Sequence, residues 1–564
     1  MSKEKPVIQK LKAFFSWLDD NILLILVGFL TVFIPLYPKI PFAELIPGYL
    51  VRVRLDDLFI TGAMVIWFIQ LLRRKATLKT PLTFLIILYI FIGLASSLSA
   101  IYWTQSVPQT WVHIAKLFLH WFRRIQYFSL FFLAYSAIKT KKHLQIFLAV
   151  FLISLAAVSL YGFGQKYLYW PVYSTMNREF SKGIKLYLSE HARVQSTFGG
   201  PYDFAAYLVL TLPLSVTLFL FSKKRFFKIL SGLAFLLGLW GLMMTSSRSS
   251  FLAYMTALIF LFFFFVRKRG LKWTIPRHTI ILILSFSFML LFGDMTERFL
   301  QIFKGSSNYE VVSNVIQTMT DAVQQPIISR PANSEPAPTA TPKPIVSTDI
   351  IIPSDTQPST VRPDLPADVF TDVPDKVTRT TPEGYEVVVE IPRVFSSTAH
   401  LLGLSAAIRL DTLWPLAIKG FMRNPLLGSG YSTLTKFEWG QFTEAESTDN
   451  DFLRTLGETG ALGFLTFYGV FVLILIILWK AVRSSKDEML WILTAVLTAS
   501  TLGLFINALY IDVFVASKLI ESYWIFAGVV VAYSVIVQKT MPKPVVASVA
   551  VKSQTEKKKK EQKK

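Results

Sequence analysis

The chain contains no cysteine and only six histidines among its 564 residues. Without cysteine it forms no disulfide, binds no iron–sulfur cluster and offers no thiolate ligand to a zinc ion. Charged residues are also scarce, because Asp, Glu, Lys and Arg together make up 17% of the chain, whereas soluble domains carry about 25%. The scarcity of charge argues against a soluble protein of this length.

Apolar residues make up 53% of the chain, and the mean hydropathy is +0.48. Many of them occur in runs such as residues 251–266 (FLAYMTALIFLFFFFV), which are apolar on every side of a helix and therefore suit a lipid environment. Runs of about 15–22 residues, long enough to cross a bilayer, lie near 22–38, 57–72, 81–101, 125–138, 144–163, 205–222, 229–245, 251–266, 278–292, 459–479, 489–508 and 518–536. The sequence predicts an all-α, polytopic membrane helix bundle of about twelve transmembrane helices.

The formal charge of +22 is distributed in a way that predicts the orientation of the bundle. Clusters of Lys and Arg fall on the same side of the alternating helices, at 3–12, 73–79, 139–142, 223–228, 267–272, 480–486 and 557–564. By the positive-inside rule that side is cytoplasmic, and both termini are therefore expected in the cytoplasm. Short basic loops of this kind contact lipid headgroups, so we expect membrane lipids and no nucleic acid as partners.

The predicted helices divide the chain into four parts. Residues 1–292 contain transmembrane helices 1–9, residues 293–458 form a large extracytoplasmic loop, residues 459–537 contain helices 10–12, and residues 538–564 form a basic cytoplasmic tail. Within the loop, a segment of about 326–392 is rich in Pro, Thr, Ser and Asp, and we expect it to be disordered apart from a short strand at 385–391. Its flanks, 311–323 and 405–422, have the apolar spacing of helices that pack over the membrane domain.

Three arginines lie at predicted extracytoplasmic helix ends or in the adjoining loops: Arg193, Arg248 and Arg409. A guanidinium keeps its charge and can hold two phosphate oxygens at once, so arginines that face a membrane cavity are suited to bind a diphosphate. The alternative is that each arginine anchors a helix end among the lipid headgroups.

Two turn-forming clusters accompany these arginines. Residues 199–201 (Gly-Gly-Pro) precede one helix, and Asn424, Gly428 and Gly430 follow another. Glycines of this kind allow the backbone to approach a ligand closely, although ordinary tight turns have the same composition.

An acidic cluster comes directly before transmembrane helix 10. Residues 447–454 read Ser-Thr-Asp-Asn-Asp-Phe-Leu-Arg, which places Asp449 and Asp451 at the start of the helix. A carboxylate there is suited to act as a general base, or to cap the helix and interact favourably with its dipole.

The order of these segments resembles the O-antigen ligase and O-antigen polymerase superfamily of bacterial envelope glycosyltransferases. The resemblance spans about residues 190–470 and rests on RVQSTFGGPYDFAAYL, TSSRSS, NPLLGSGYSTL and TDNDFLRTLGETGALG in that order. It implies metal-independent transfer of a glycan, without a cofactor, from a polyprenyl diphosphate donor to a glycan or lipid acceptor. It also implies a multi-pass protein of the bacterial inner membrane, with the reaction on the extracytoplasmic face.

The resemblance also assigns roles to individual residues. Arg193, Arg248 and Arg409 match family arginines that hold the donor diphosphate, with Arg409 and Asp449 as the catalytic pair. Asn424, Gly428, Gly430 and Asn450 are expected to position the substrate.

One position departs from the family pattern. Ligases carry His-Asn where this chain has Asp449-Asn450, and that histidine engages the acceptor. An aspartate with a reference pKa of about 3.9 is a weaker base unless burial raises its pKa. The departure favours a polymerase or another polysaccharide transferase over a strict lipid A-core ligase.

Other function classes fit the layout less well. A transporter or flippase of lipid-linked glycans also has about twelve helices, but the two halves show no repeat, and the polar clusters lie at one face rather than at the midplane. A membrane anchor that displays the Pro/Thr segment is a further alternative. A protein O-glycosyltransferase belongs to the same superfamily and differs in its acceptor.

The Pro/Thr segment provides a first test. Its composition is typical of a spacer, so replacing residues 326–392 by a short linker should leave glycan transfer intact, as measured with purified protein and a lipid-linked donor. If the segment is instead an acceptor, the wild-type chain should carry a glycan that the shortened chain lacks, and the mass of the intact protein would reveal it.

Overall fold

The computed structural model describes residues 6–43, 52–176, 180–189, 192–292, 295–296, 375–380, 386–391, 406, 408–434 and 448–540. Nine helices come before the large loop: α1 (Pro6–Leu36), α2 (Leu55–Leu72), α3 (Thr83–Tyr102), α4 (Trp111–Ala137), α5 (Lys141–Tyr167), α6 (Pro201–Phe221), α7 (Arg225–Met244), α8 (Arg248–Arg269) and α9 (Leu271–Leu291). The described residues after them include α10 (Trp414–Arg423), α11 (Asp451–Ser484), α12 (Glu488–Ala508) and α13 (Ser517–Thr540).

Strands are short and lie outside the helical bundle. β1 (Pro41–Ala43) pairs with β2 (Val53–Arg54), and β3 (Asp375–Thr380) pairs with β4 (Glu386–Ile391), both antiparallel. β4 confirms the strand predicted at 385–391. The helical flank predicted at 311–323, most of the Pro/Thr segment and the tail beyond residue 540 lie outside the described residues.

Eleven of the helices in the described ranges are long and apolar enough to cross a membrane. They are α1 from Lys12 onwards, α2, α3, α5, α6, α7, α8, α9, α11, α12 and α13. The prediction of an all-α, polytopic membrane bundle is therefore confirmed. α10 has 10 residues and is too short to span a bilayer.

The helix α4 differs from the prediction for this part of the chain. Apolar runs predicted a span at 125–138 after a loop at 102–124, but α4 is continuous from Trp111 and has 27 residues, about 40 Å in length. Lys116, Arg123 and Arg124 interrupt the apolar run, which is why hydropathy missed the first half of the helix. Arg123 and Arg124 follow Lys116 by seven and eight positions, which places them near the same helical face, and Lys116 and Arg124 are buried within the protein. With α4, the described residues contain twelve long helices, the number that the prediction contained.

The helix α11 begins at Asp451, earlier than the predicted span at 459–479. Its start is polar, and the Asn450 side chain caps it by accepting a hydrogen bond from the backbone N–H of Leu453 at 3.0 Å. Gly460 has a φ of +65°, which kinks the helix after its polar first turns. Hydropathy therefore detected only the part of α11 that follows the kink.

Ion pairs join several of the basic clusters at one end of the bundle. Arg269 lies 3.0 Å from Glu488 at the start of α12, and Lys141 lies 3.6 Å from the neighbouring Asp487. At the same end of the bundle, Lys75, which follows α2, lies 2.6 Å from Asp19 of α1. This arrangement agrees with the predicted alternation of the helices. That this end is cytoplasmic stays a prediction.

The helices α6, α12 and α13 form the centre of the bundle, because most of each helix is buried. Small residues allow the helices to approach closely, as is common in membranes. A Cβ atom on Gly528 of α13 would lie 2.5 Å from the carbonyl oxygen of Phe131 on α4. Glycine at this position is therefore what brings α13 against α4.

Substituting Gly528 tests this contact. We expect Gly528→Ala to lower the unfolding temperature in detergent, since overpacking a tight core costs about 1–3 kcal/mol. Gly62→Ala in α2 is the matched control, because a Cβ there meets nothing within 4 Å and alanine favours a helix. Equal unfolding temperatures for the two variants would contradict the close approach.

Candidate active site at the loop-bearing end of the bundle

Arg409 lies in a single π-helical turn, Ile408–Leu413, directly before α10. Pro415 has no N–H to donate to the carbonyl of residue 411, so the regular helical hydrogen bonding is interrupted here. Residues 405–422 were predicted to be helical, and the turn together with α10 confirms this for the described residues of that flank. π-Turns of this kind are frequent at functional sites.

Arg409 and Asp449 form an ion pair. Nη2 of Arg409 lies 3.1 Å from Oδ2 of Asp449, and the same nitrogen donates to the carbonyl oxygen of Tyr510 at 3.3 Å. The side chains are 17% and 31% exposed, respectively. The structure therefore brings the two predicted catalytic side chains into direct contact at a position that solvent can reach.

The turn that presents Asp449 is held on both sides. Asp449 has a φ of +52°, in the left-handed region that Asp and Asn tolerate better than most residues. The backbone N–H groups of Thr448 and Asn450 donate to the two carboxylate oxygens of Asp512, at 2.8 and 3.0 Å. The Asn450 amide donates to the carbonyl oxygen of Leu509 at 3.3 Å. The Asn450 side chain thus caps α11 and binds the Leu509 carbonyl. Its contact with the substrate stays a prediction.

A buried network of charges lies directly behind this turn. Arg454 donates to Asp512 at 2.7 Å and to Glu458 at 3.1 Å. Asp451 accepts a hydrogen bond from the backbone N–H of Phe514 at 2.6 Å. Because each buried charge has a partner, the network holds the start of α11 against the turn between α12 and α13. Arg454 and Glu458 were not among the residues predicted from the sequence, although their i, i+4 spacing in an apolar helix was a signal for a pair.

A small cavity adjoins the network, and Arg124 of α4 lines it together with Tyr89, Tyr431, Asp451, Arg454 and Glu458. Arg124 is 7% exposed, its guanidinium carbon lies 5.7 Å from the centre of the Tyr431 ring, and Nη1 is 3.5 Å from the carbonyl oxygen of Phe514. Arg124 was predicted to lie in a loop, so its place beside the site is a finding of the tertiary structure.

The turn at 424–430 packs against the kink of α11. Gly428 and Gly430 have φ angles of +71° and +98°, and a Cβ atom on Gly428 would lie 2.5 Å from the carbonyl carbon of Glu458. The N–H of Gly430 donates to the carbonyl oxygen of Glu458 at 2.9 Å. Asn424 donates to Ser99 of α3 at 3.1 Å. The close approach at these glycines is therefore to the α11 backbone, and their role toward a substrate stays a prediction.

Arg193 and Arg248 lie on neighbouring segments at the same end of the bundle. Arg193 donates to the Tyr202 hydroxyl at 2.8 Å, and the N–H of Val194 donates to the carbonyl oxygen of Met244 at 3.0 Å. Met244 ends α7, and Arg248 begins α8 after a short turn. The structure thus joins the Arg193 segment to the turn that leads to Arg248.

A further contact connects the start of α8 with the Arg409 region. Asn507 near the end of α12 donates to Ser250 at 3.1 Å. The chain then continues to Tyr510, whose carbonyl oxygen accepts from Arg409. The three predicted arginines therefore occupy adjoining segments, and within the described residues Arg409 is the one paired with Asp449.

Two buried lysines, Lys518 and Lys39, contact the segment that follows Arg193. Lys518 in the first turn of α13 donates to the carbonyl oxygens of Pro35, Tyr37 and Thr197, at 3.1, 2.5 and 2.8 Å. Lys39 lies 3.9 Å from Asp203, and its pKa is lowered by burial and then by the nearby charge of Arg54. These lysines connect the segment to α1 and α13, and neither was among the residues predicted from the sequence.

The comparisons with known proteins agree with this geometry. Residues 233–468 match the family described as O-antigen ligase. The match includes Arg248, Arg409 and Asp449, and it leaves Arg193 outside. No curated protein matches the chain significantly.

Within the described part of the chain, no group of three or more His, Asp or Glu side chains is placed to hold a metal ion. The chain is thus a multi-pass membrane protein in which residues 233–468, including Arg409 and Asp449, match the O-antigen ligase family.

Proposed function

We propose that the protein transfers or polymerises a glycan from a polyprenyl diphosphate donor on the extracytoplasmic face of the membrane, for cell-surface polysaccharide biosynthesis. The observation that carries this proposal is the contact of 3.1 Å between Arg409 and Asp449, at the end of the bundle opposite the basic clusters. The contact joins the Arg409 guanidinium, which is suited to bind a diphosphate, to the Asp449 carboxylate, which is suited to accept a proton from an acceptor hydroxyl.

The donor site consists of the arginines on adjoining segments. Arg409 presents its guanidinium at a partly exposed position, and Arg248 lies at the start of α8, where the dipole of the helix favours a negative charge. A diphosphate that leaves from a sugar develops negative charge in the transition state, and fixed guanidinium groups stabilise that charge. Arg193, whose guanidinium donates to Tyr202 and whose neighbour Val194 donates to the Met244 carbonyl, completes the proposed set.

The acceptor step assigns the general base to Asp449. The acceptor hydroxyl gives its proton to the Asp449 carboxylate, and its oxygen forms a bond to the anomeric carbon of the donor sugar. The bond between that carbon and the phosphate oxygen breaks, and the polyprenyl diphosphate leaves with the electron pair. The clamp of Asp512 on both neighbours of Asp449 supports this role, because it keeps the carboxylate at a fixed position.

The aspartate at position 449 favours a polymerase or another polysaccharide transferase over a ligase that requires histidine. Transfer assays with lipid-linked glycan, lipid A-core or a Ser/Thr peptide as acceptor distinguish polymerase, ligase and protein glycosyltransferase. A flippase would move the labelled donor between leaflets without forming a new glycosidic bond.

The guanidinium of Arg409 is the first group to test. Arg409→Lys keeps the charge but loses the planar fork, so we expect kcat/KM for glycan transfer in proteoliposomes to fall about 10- to 100-fold. The estimate follows from about 1.5–3 kcal/mol for one hydrogen bond to a charged group. Arg423→Lys, at the exposed end of α10, is the matched control. Near-wild-type transfer by Arg409→Lys and Arg409→Ala would remove the donor role.

Substitutions of Asp449 test the base. We expect Asp449→Asn to reduce kcat at least 100-fold, within the range for loss of a general base, and Asp449→His to retain transfer. A base must be deprotonated to act, so activity is lost as pH falls through its pKa. Since the reference pKa is about 6.5 for His and about 3.9 for Asp, the acid limb of the pH–rate profile should move to higher pH in Asp449→His. Unchanged turnover in Asp449→Asn would leave Asp449 with a structural role alone.

A further inference from the structure

The residue proposed to bind the donor is already bound to the residue proposed to activate the acceptor. Nη2 of Arg409 lies 3.1 Å from Oδ2 of Asp449, and both side chains remain partly exposed, at 17% and 31%. A ligand that arrives from the aqueous side can therefore reach the pair.

Both partners are held by the same short segment between α12 and α13. The carbonyl oxygen of Tyr510 accepts from Arg409 at 3.3 Å, and the carboxylate of Asp512 accepts from the backbone on both sides of Asp449. Asp449, which lies between the two N–H groups that donate to Asp512, has a left-handed conformation with a φ of +52°. Two anchors on one segment thus hold the two partners of the pair.

A carboxylate and a phosphate offer the same kind of ligand to a guanidinium, two or more anionic oxygens that accept N–H donors. On Arg409, Asp449 therefore occupies a place that a phosphate oxygen of the donor would take. The pairing also affects Asp449, because an adjacent positive charge stabilises the ionised carboxylate and makes it a weaker base. Each partner consequently limits the function of the other while the pair is closed.

We propose that the Arg409–Asp449 ion pair is an autoinhibitory contact, which the diphosphate of the donor opens by replacing Asp449 on Arg409. This inference rests on the proposed function of the two residues. Donor binding transfers Arg409 to the phosphate and releases Asp449, which then becomes a stronger base. The acceptor hydroxyl is activated only when the donor is in place, so binding follows a fixed order with the donor first.

The autoinhibitory contact is possible because aspartate stands at position 449 in place of the family histidine. A histidine at position 449 carries no negative charge and offers Arg409 no carboxylate, so it would leave the guanidinium open to the donor. Asp449→His should therefore break the pair and keep a base, whereas Asp449→Asn should break the pair and remove the base.

The test measures the affinity of the full-length protein in nanodiscs for a soluble prenyl diphosphate, geranyl diphosphate. We expect Asp449→Asn and Asp449→His to bind it about three- to tenfold more tightly than the wild type, since both free Arg409 from its ion pair and partly exposed ion pairs are weak. Asp411→Asn, an exposed residue of the same π-turn, makes the same change of charge and is the control. A gain of affinity is informative because a damaged fold would lower affinity instead.

A double-mutant cycle separates the pair from a general effect of charge. In the Arg409→Ala background, Asp449→Asn should produce no gain of affinity. A gain that persists without Arg409, or a gain in Asp411→Asn as large as in Asp449→Asn, would overturn the autoinhibitory contact.

The remaining outcomes distinguish this inference from the function on which it rests. If the wild type binds the diphosphate, Arg409→Ala binds it more weakly and Asp449→Asn binds it as the wild type does, the donor site stands and the autoinhibitory contact is wrong. If neither the wild type nor any variant binds the diphosphate, the proposed donor site is wrong as well.

Discussion

The geometry of the active end depends on one buried carboxylate, that of Asp512. It accepts hydrogen bonds from the backbone N–H groups of Thr448 and Asn450 and from the guanidinium of Arg454. A buried carboxylate is costly unless its oxygens are satisfied, and here three donors from the start of α11 satisfy it. Asp449 lies between the two bonded N–H groups, has a left-handed conformation and contacts Arg409. Position and charge at the site are therefore consequences of one packing contact between α11 and the segment after α12.

The membrane explains why polar groups gather at this end. Within lipid, an unpaired charge or an open backbone group is expensive, so charged side chains concentrate where helices end and where they can pair. Arg124, Arg454 and Lys518 are buried but lie beside carbonyl oxygens, carboxylates or aromatic rings at the ends of α11 and α13. These polar residues form a region that solvent reaches from one side and that packs on apolar helices on the other.

The aspartate at position 449 has two parts in the proposed site, as the proposed base and as the partner of Arg409. A carboxylate pairs with a guanidinium, and a neutral imidazole does not form such an ion pair. Under the proposed function, the aspartate therefore links the donor residue and the acceptor residue electrostatically. The observed distance of 3.1 Å between Arg409 and Asp449 is the basis of the proposed order of the two substrates.

The sequence by itself determined the all-α membrane bundle, the grouping of its basic loops and the identity of Arg409 and Asp449 as candidates, because long apolar runs and local motifs are properties of neighbouring residues. Only the tertiary structure decided that α4 extends back to Trp111, where Arg123 pairs with Asp57 of α2 and Arg124 lies beside the carbonyl oxygen of Phe514. It likewise decided that Gly428 packs on Glu458 and that Asp512 holds the Asp449 turn. These contacts join residues far apart in the chain, and no local pattern encodes which of them will meet.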